Sequence, residues 1–153
     1  LVHPQLSTIA IGEVKNETDE PALAVILRKK LAEQVMRDGS LRLVDADIAD
    51  VIVVATIPKY ATARGAAAKL RSDSDLPDER STYRTSFYQV KVDVEYSVLV
   101  PLQNNRVLMP RRKTVGEARF PEMPDLDVSR QSGLQQALND AATQIITSIT
   151  EAW

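Results

Sequence analysis

The 153-residue chain has no cysteine, which removes disulfides, thiol catalysis and thiolate metal sites together. It has one histidine, His3, beside Pro4 near the start of the chain. A metal centre needs several ligands at suitable spacing, and a general base needs an ordered partner. His3 therefore reads as a tail residue. Glycine is scarce, with five in all, and no glycine-rich phosphate loop or Gly-x-Ser-x-Gly elbow can be built from them. Aromatics make up 5% of the chain, too few for a stacking platform that would read single-stranded nucleic acid. Charge of one sign is also missing: the net charge is −2, which gives the whole molecule no bias toward nucleic acid or anionic membrane. No apolar run approaches the ~20 residues that span a bilayer. These absences leave an expectation of no cofactor, no nucleic-acid partner and no enzymatic activity.

What is present fits one domain over residues 1–153, a size at which folding buries roughly 70% of the unfolded chain's surface without help from a metal or disulfide. Ser7 to Val14 alternates as a first strand, and Lys15 to Glu20 reads as a polar turn. Thr18, Asp19 or Glu20 stands ready to open a helix ahead of Pro21. From Ala22 to Arg37, the residues Leu23, Ile26, Leu27, Leu31 and Val35 recur at helical spacing and mark one buried face. Asp38-Gly39 closes that helix, since glycine accepts the left-handed closing conformation. A short strand follows at Leu41 to Val44. Then Val51 to Ile57, an almost unbroken β-branched run, reads as a buried strand stopped by Pro58.

Residues 61–81 hold neither period and read as a long, mobile loop between strands. From Tyr88 to Val100 the alternation is the clearest in the chain. Val90, Val92, Val94, Tyr96 and Val98 fall on one face, and Gln89, Lys91, Asp93, Glu95 and Ser97 on the other. Asn104-Asn105 supplies a turn, and Arg106 to Phe120 returns as the antiparallel neighbour. A proline-marked loop, Pro121 to Asp127, precedes a second helix from about Val128 to Ala152, striped by Leu134, Leu138, Ala141, Ile145 and Ile149. Trp153 is expected to anchor that helix against the sheet. The order β-α-β-β-loop-β-β-α predicts an α+β two-layer sandwich. Its sheet would be mostly antiparallel or mixed, with four to five strands, and both helices would cover one face.

Among candidate sites, Asp45, Asp47 and Asp50 resemble a carboxylate group, but their spacing at strand ends is that of turns and caps. A calcium loop would also need a glycine turn and a terminal Glu, which are lacking. Asp73, Asp75, Asp78 and Glu79 make the long loop acidic, and solvation accounts for them. Asn16-Glu17-Thr18 matches a glycosylation triplet too common to carry weight. Asp93 and Glu95 are the least poor pair of catalytic carboxylates, with no motif around them. The strongest feature is basic: Arg106, Arg111, Arg112, Lys113 and Arg119 stand against one acid, Glu117, in a single strand. Alternation puts Arg111, Lys113 and Arg119 on one face and Arg112 on the other. Guanidinium groups grip phosphates in bidentate fashion and lysine adds a point charge. An edge strand that uses charge to prevent aggregation explains the same cluster equally well.

Five segments together resemble the LptE family of lipopolysaccharide-assembly lipoproteins, which pair with the outer-membrane barrel LptD. They are STIAIGEVKNETDEPAL, DGSLRLVD, ADVIVVATIPKY, YQVKVDVEYSVLV and the closing helix that ends EAW. They cover nearly the whole chain in order. Two departures stand out: Val14-Lys15 replaces the family's usual aromatic after the first strand, and the lipid-bearing cysteine is absent. Leu1 in place of Met is what a trimmed chain would show. The resemblance implies a non-enzymatic, lipid-anchored protein on the periplasmic side of the outer membrane, with the assembly barrel and lipopolysaccharide as partners. On their charge alone, Arg106, Arg111, Arg112, Lys113 and Arg119 are then the candidates for contact with lipopolysaccharide phosphates or the barrel. The alternative is another envelope lipoprotein of similar build, serving a secretion channel or a lipid transporter.

Overall fold

A computed structural model describes residues 6–66, 86–121 and 126–152. Five strands form one sheet in the order β2-β1-β3-β4-β5. They are β1 (Thr8–Asn16), β2 (Arg42–Leu43), β3 (Val51–Ala66), β4 (Ser86–Val100) and β5 (Arg106–Pro121). Strand β1 runs parallel to both β2 and β3, whereas β3, β4 and β5 are antiparallel. Two helices, α1 (Ala22–Asp38) and α2 (Leu126–Ala152), complete an α+β two-layer architecture.

The predicted apolar stripes form the core. Leu23, Leu27 and Leu31 of α1 and Leu134, Leu138, Ala141, Ile145 and Ile149 of α2 are buried against the sheet. The facing side chains are Val51, Val53 and Ile57 of β3 and Val90, Val92, Val94 and Val98 of β4. All of these lie at alternate positions, so on β4 the opposite face carries the polar set Gln89, Lys91, Asp93, Glu95 and Ser97, while β3 places Ile52 and Val54 there. Among the described residues no element covers that open face.

Several boundaries differ from the sequence pattern. Strand β1 runs on to Asn16, whose side chain then makes the turn. Asn16 Oδ1 accepts from Thr18 N at 3.0 Å and Thr18 Oγ1 at 2.7 Å, while Nδ2 donates to the Glu20 carbonyl at 2.7 Å. The glycosylation-like triplet is therefore a turn that closes on its own backbone. None of Thr18, Asp19 and Glu20 caps α1 with a side chain; Pro21 occupies the capping position itself. The far end of α1 follows expectation: Gly39 has φ +80° and donates to the Val35 carbonyl at 3.1 Å. Strand β2 is two residues rather than four.

Pro58 does not stop β3, which continues to Ala66. The Glu17 N–H donates to the Ile57 carbonyl, and pairing with β1 ends at Ile57. Against β4 the register shifts between Thr56 and Lys59. Pro58 thus occupies a bulge at which the missing N–H interrupts neither ladder. The first part of the loop expected over residues 61–81 is strand instead, because Ala61 through Ala66 pair with Lys91 through Ser86. The rest of that segment lies outside the described residues, as do His3 and Trp153. Pro121 is the last residue of β5, and Leu126-Asp127 already belong to α2.

Candidate functional site: the open face and the basic edge strand

Asn104 and Asn105 both adopt left-handed backbone, with φ of 57° and 58°, and turn the chain from β4 into β5. Asparagine tolerates that conformation better than most side chains. The returning strand is a sheet edge, and it carries the basic cluster.

The cluster is a row and not a pocket. Arg111 and Arg119, eight residues apart, are separated by roughly 26 Å at ordinary strand rise. Arg106 donates to Gln103 Oε1 at 2.7 Å beside the turn. Arg111 Nη1 meets Glu95 Oε1 at 3.1 Å on the open face. Lys113 is opposite Glu95 in register, and Arg119 stacks over Phe87 with its guanidinium carbon 4.8 Å from the ring centre. Arg112 is opposite Tyr96, a residue of the helix-covered face. The predicted split of the cluster between two faces therefore holds in the backbone. A bulge between the Tyr96 and Val98 pairings shifts the register at Pro110-Arg111.

Strands β3 and β4 add bases and acids that the sequence cluster alone did not include. Lys59 pairs with Asp93 at 3.7 Å and Lys91 with Glu117 at 3.6 Å. All three acids along this part of the face, Asp93, Glu95 and Glu117, are matched by bases of the same face. Arg112 and Lys113 are exposed and carry no ion pair among the described residues. The surplus on this side of the molecule is cationic. Only the strand register reveals this pairing, since the partners are 16 to 34 positions apart in sequence.

Among the described residues the candidate carboxylates are spread over separate places. Asp93 and Glu95 lie on an open sheet face, where Glu95 borders a depression of about 140 Å³ that is smaller than ordinary ligand sites. Asp50 is committed elsewhere: its Oδ2 accepts from Ser7 N at 2.8 Å, Thr8 N at 3.0 Å and Ser7 Oγ at 3.2 Å. In return, Asp50 N donates to Thr8 Oγ1 at 2.9 Å. The Ser7 N–H is the main cause of a lowered Asp50 pKa, opposed by burial and reinforced by Thr8. This is a clasp between the starts of β1 and β3. Among the described residues no group of three metal-ligating side chains occurs.

Helix α2 interacts with β5 directly. Asp140 Oδ2 accepts from Glu117 N at 2.9 Å, and Gln144 Nε2 donates to the Val115 carbonyl at 2.9 Å. Gly116 lies between them; a methyl group on it would run into the Ala137 carbonyl oxygen. Side chains of the helix thus take the place of a neighbouring strand along this part of the edge. Nearby, Arg130 pairs with Glu20. A hydrogen bond with Tyr60, opposed by burial and aided by the charge of Glu20, raises the Arg130 pKa.

A mixed five-stranded sheet backed by two helices is a fold shared with several bacterial proteins of known structure. The minor lipoprotein of Acinetobacter baumannii superposes with a TM-score of 0.57 at 10% identity, covering 95% of this chain and 94% of that one. A Xanthomonas campestris protein gives 0.59 at 8% identity, covering 95% and 87%. A Chlamydia trachomatis protein gives 0.54 at 13% identity, covering 97% of each chain. At these identities the likeness is one of fold. Comparison with curated proteins finds no sequence match. The sequence does match the LptE lipopolysaccharide-assembly family over residues 6–152, nearly its whole length, and the chain belongs to that family. Among the described residues no helix is long and apolar enough to cross a membrane.

Proposed function

We propose that this chain is a non-enzymatic lipoprotein of the outer membrane, facing the periplasm, that binds the lipopolysaccharide-assembly β-barrel and assists transport and insertion of lipopolysaccharide. Family membership over residues 6–152 supports assembly as the process. One observation supports the chemistry: Asp93, Glu95 and Glu117 are matched by Lys59, Arg111 and Lys91, while Lys113 on the same face and Arg112 on the other face of the edge strand have no ion pair among the described residues. Unmatched bases on a rigid strand suit phosphate groups or an acidic protein wall. Arg106, Arg111 and Arg119 extend the same row. In this reading the protein supplies a charged, preformed surface, and no bond is made or broken on it.

The test is affinity purification of the full-length, lipid-anchored protein from detergent-solubilised envelopes, with mass spectrometry of the co-purifying chains. One large β-barrel in near-equal amount is the expected result. Recovery of a ring-forming channel or of transporter subunits would assign the fold to a different envelope machine.

A further inference from the structure

The two edges of the sheet are finished differently. Along β5, Asp140 and Gln144 occupy the backbone of Glu117 and Val115, and Pro110, the neighbouring bulge and three consecutive bases disrupt the upper half. Such features keep a strand edge from accepting another strand. At the other edge β2 is short and carries one base, Arg42, but it has no proline, no bulge and no helix side chain on the Leu43 backbone among the described residues. Arg42 N donates to the Ser7 carbonyl and Val44 N to the Ile9 carbonyl, each at 2.9 Å. Strand alternation therefore turns the N–H and C=O of Leu43 outward, away from β1, where they have no partner among the described residues.

Helix α1 lies alongside that open edge. Val25, Lys29, Ala32 and Met36 follow at helical spacing of four, three and four. Val25 is 70% and Met36 64% exposed, unlike the buried stripe on the core side of the same helix. A groove of about 750 Å³ runs between Val25, Lys29 and Ala32 on one side and Leu43 and Val44 on the other, with Ile11 among its lining residues. A second hollow of about 480 Å³ continues it past Leu43 to Met36. The stripe is roughly 16 Å long at helical rise, the length of about five strand residues. Lys29 and Arg42 are exposed beside it without an ion pair among the described residues, and Asp45 closes the Val44 end.

We infer that this groove receives an extended segment of a partner protein as a sixth strand beside β2, with apolar and acidic residues in alternation. The outward N–H and C=O of Leu43 supply backbone pairing, the α1 stripe takes the apolar side chains, and Lys29 and Arg42 take the acidic ones. Two residues of strand hold little by backbone alone, so the apolar contact with Val25, Ala32 and Met36 carries the affinity. The site is separate from the basic edge strand and does not depend on its role.

The experiment is an NMR titration of the isotope-labelled chain with a synthetic peptide of about ten residues that alternates valine and glutamate. Saturable shifts at Leu41 to Val44 and along Val25 to Met36 are expected, with the Leu43 amide becoming protected from hydrogen exchange. A valine-lysine peptide should bind more weakly. Val25→Glu and Met36→Glu, both at exposed positions that leave the core intact, should each weaken binding by about tenfold through lost apolar contact. Arg111→Glu and Lys113→Glu should leave it unchanged. Shifts confined to β5 or to the open face would overturn the inference, as would no shifts at all. Concentration-dependent shifts without peptide, with a dimer in analytical ultracentrifugation, would also overturn it by assigning the groove to a second copy.

Discussion

Arg111 and Lys113 compete for one acid, and Arg111 has it: its guanidinium is 3.1 Å from Glu95, while Lys113, opposite Glu95 in register, has no ion pair among the described residues. The bulge at Pro110-Arg111 shifts the register beside Glu95. Neighbouring bases on one face are thereby given different work, one tied to Glu95 and one left without that partner.

Reversing Lys113 to Glu should therefore weaken association with lipopolysaccharide more than neutralising Arg111 with Gln. A lost charge-assisted contact is worth about tenfold in affinity. The loss should shrink as salt rises, because the contact is exposed. Thermal unfolding of the Lys113 variant should stay within about 0.5 kcal/mol of the parent, since the residue is on the surface. Equal binding by the parent and by a double Arg112→Glu, Lys113→Glu variant would remove the basic row from the mechanism.

Asp50 should make the fold acid-sensitive. Its folded-state pKa lies below the ordinary aspartate value of 3.8, so its contribution is present above that value. It is lost as pH falls through the lowered folded value. Asp50→Asn keeps the shape but weakens the bonds that Ser7 and Thr8 donate to it, because a carboxylate accepts them more strongly than an amide oxygen does. A loss of about 1.5–3 kcal/mol is expected at neutral pH, measured by urea unfolding. The gap between parent and variant should close below pH 3.8.

Gly116→Val should destabilise by about 1–3 kcal/mol, the ordinary range for overpacking. Here the obstacle is the backbone of α2 at Ala137, which cannot turn aside as a side chain can. Hydrogen exchange should show the Glu117 amide losing protection along with the helix contact, and ahead of amides in β3.

Arg130→Met tests the corner where α2 meets the start of α1. The substitution keeps the length of the side chain but strands Glu20, which is only 11% exposed. A loss of about 1–3 kcal/mol follows from leaving a mostly buried carboxylate without its partner. Glu20→Gln in the same background should recover part of it, as a double-mutant cycle would report.

Most of the fold could be read from the chain because its signals are local. The α1 and α2 stripes, the Gly39 closure, the Asn104-Asn105 turn and the alternation of β4 each depend on residues within one element. Pro58 was misleading for a physical reason. Whether a proline breaks a strand depends on which neighbour needs its N–H, and that is set by where β1 ends and where β4 bulges. The same holds for the candidate site. Five bases in a row were visible, but which of them are free depends on acids 16 or more positions away. Gln144 and Asp140 gave no signal of their role, since a polar side chain reaching a strand edge looks like any solvated helix face.

The contact of Asp140 and Gln144 with β5 also works as a ruler. One helical turn separates the two side chains, and they engage backbone atoms two strand residues apart. Two register shifts separate the Asn104-Asn105 turn from Val115, so the hairpin's tight end does not by itself dictate alignment at its lower end. A slip of one residue there would send Val115 inward and Ala118 outward. During synthesis the lower half of β5 leaves the ribosome before the helix that gauges it. Its alignment therefore stays provisional until α2 arrives, and that helix acts as proofreader for the strand that precedes it.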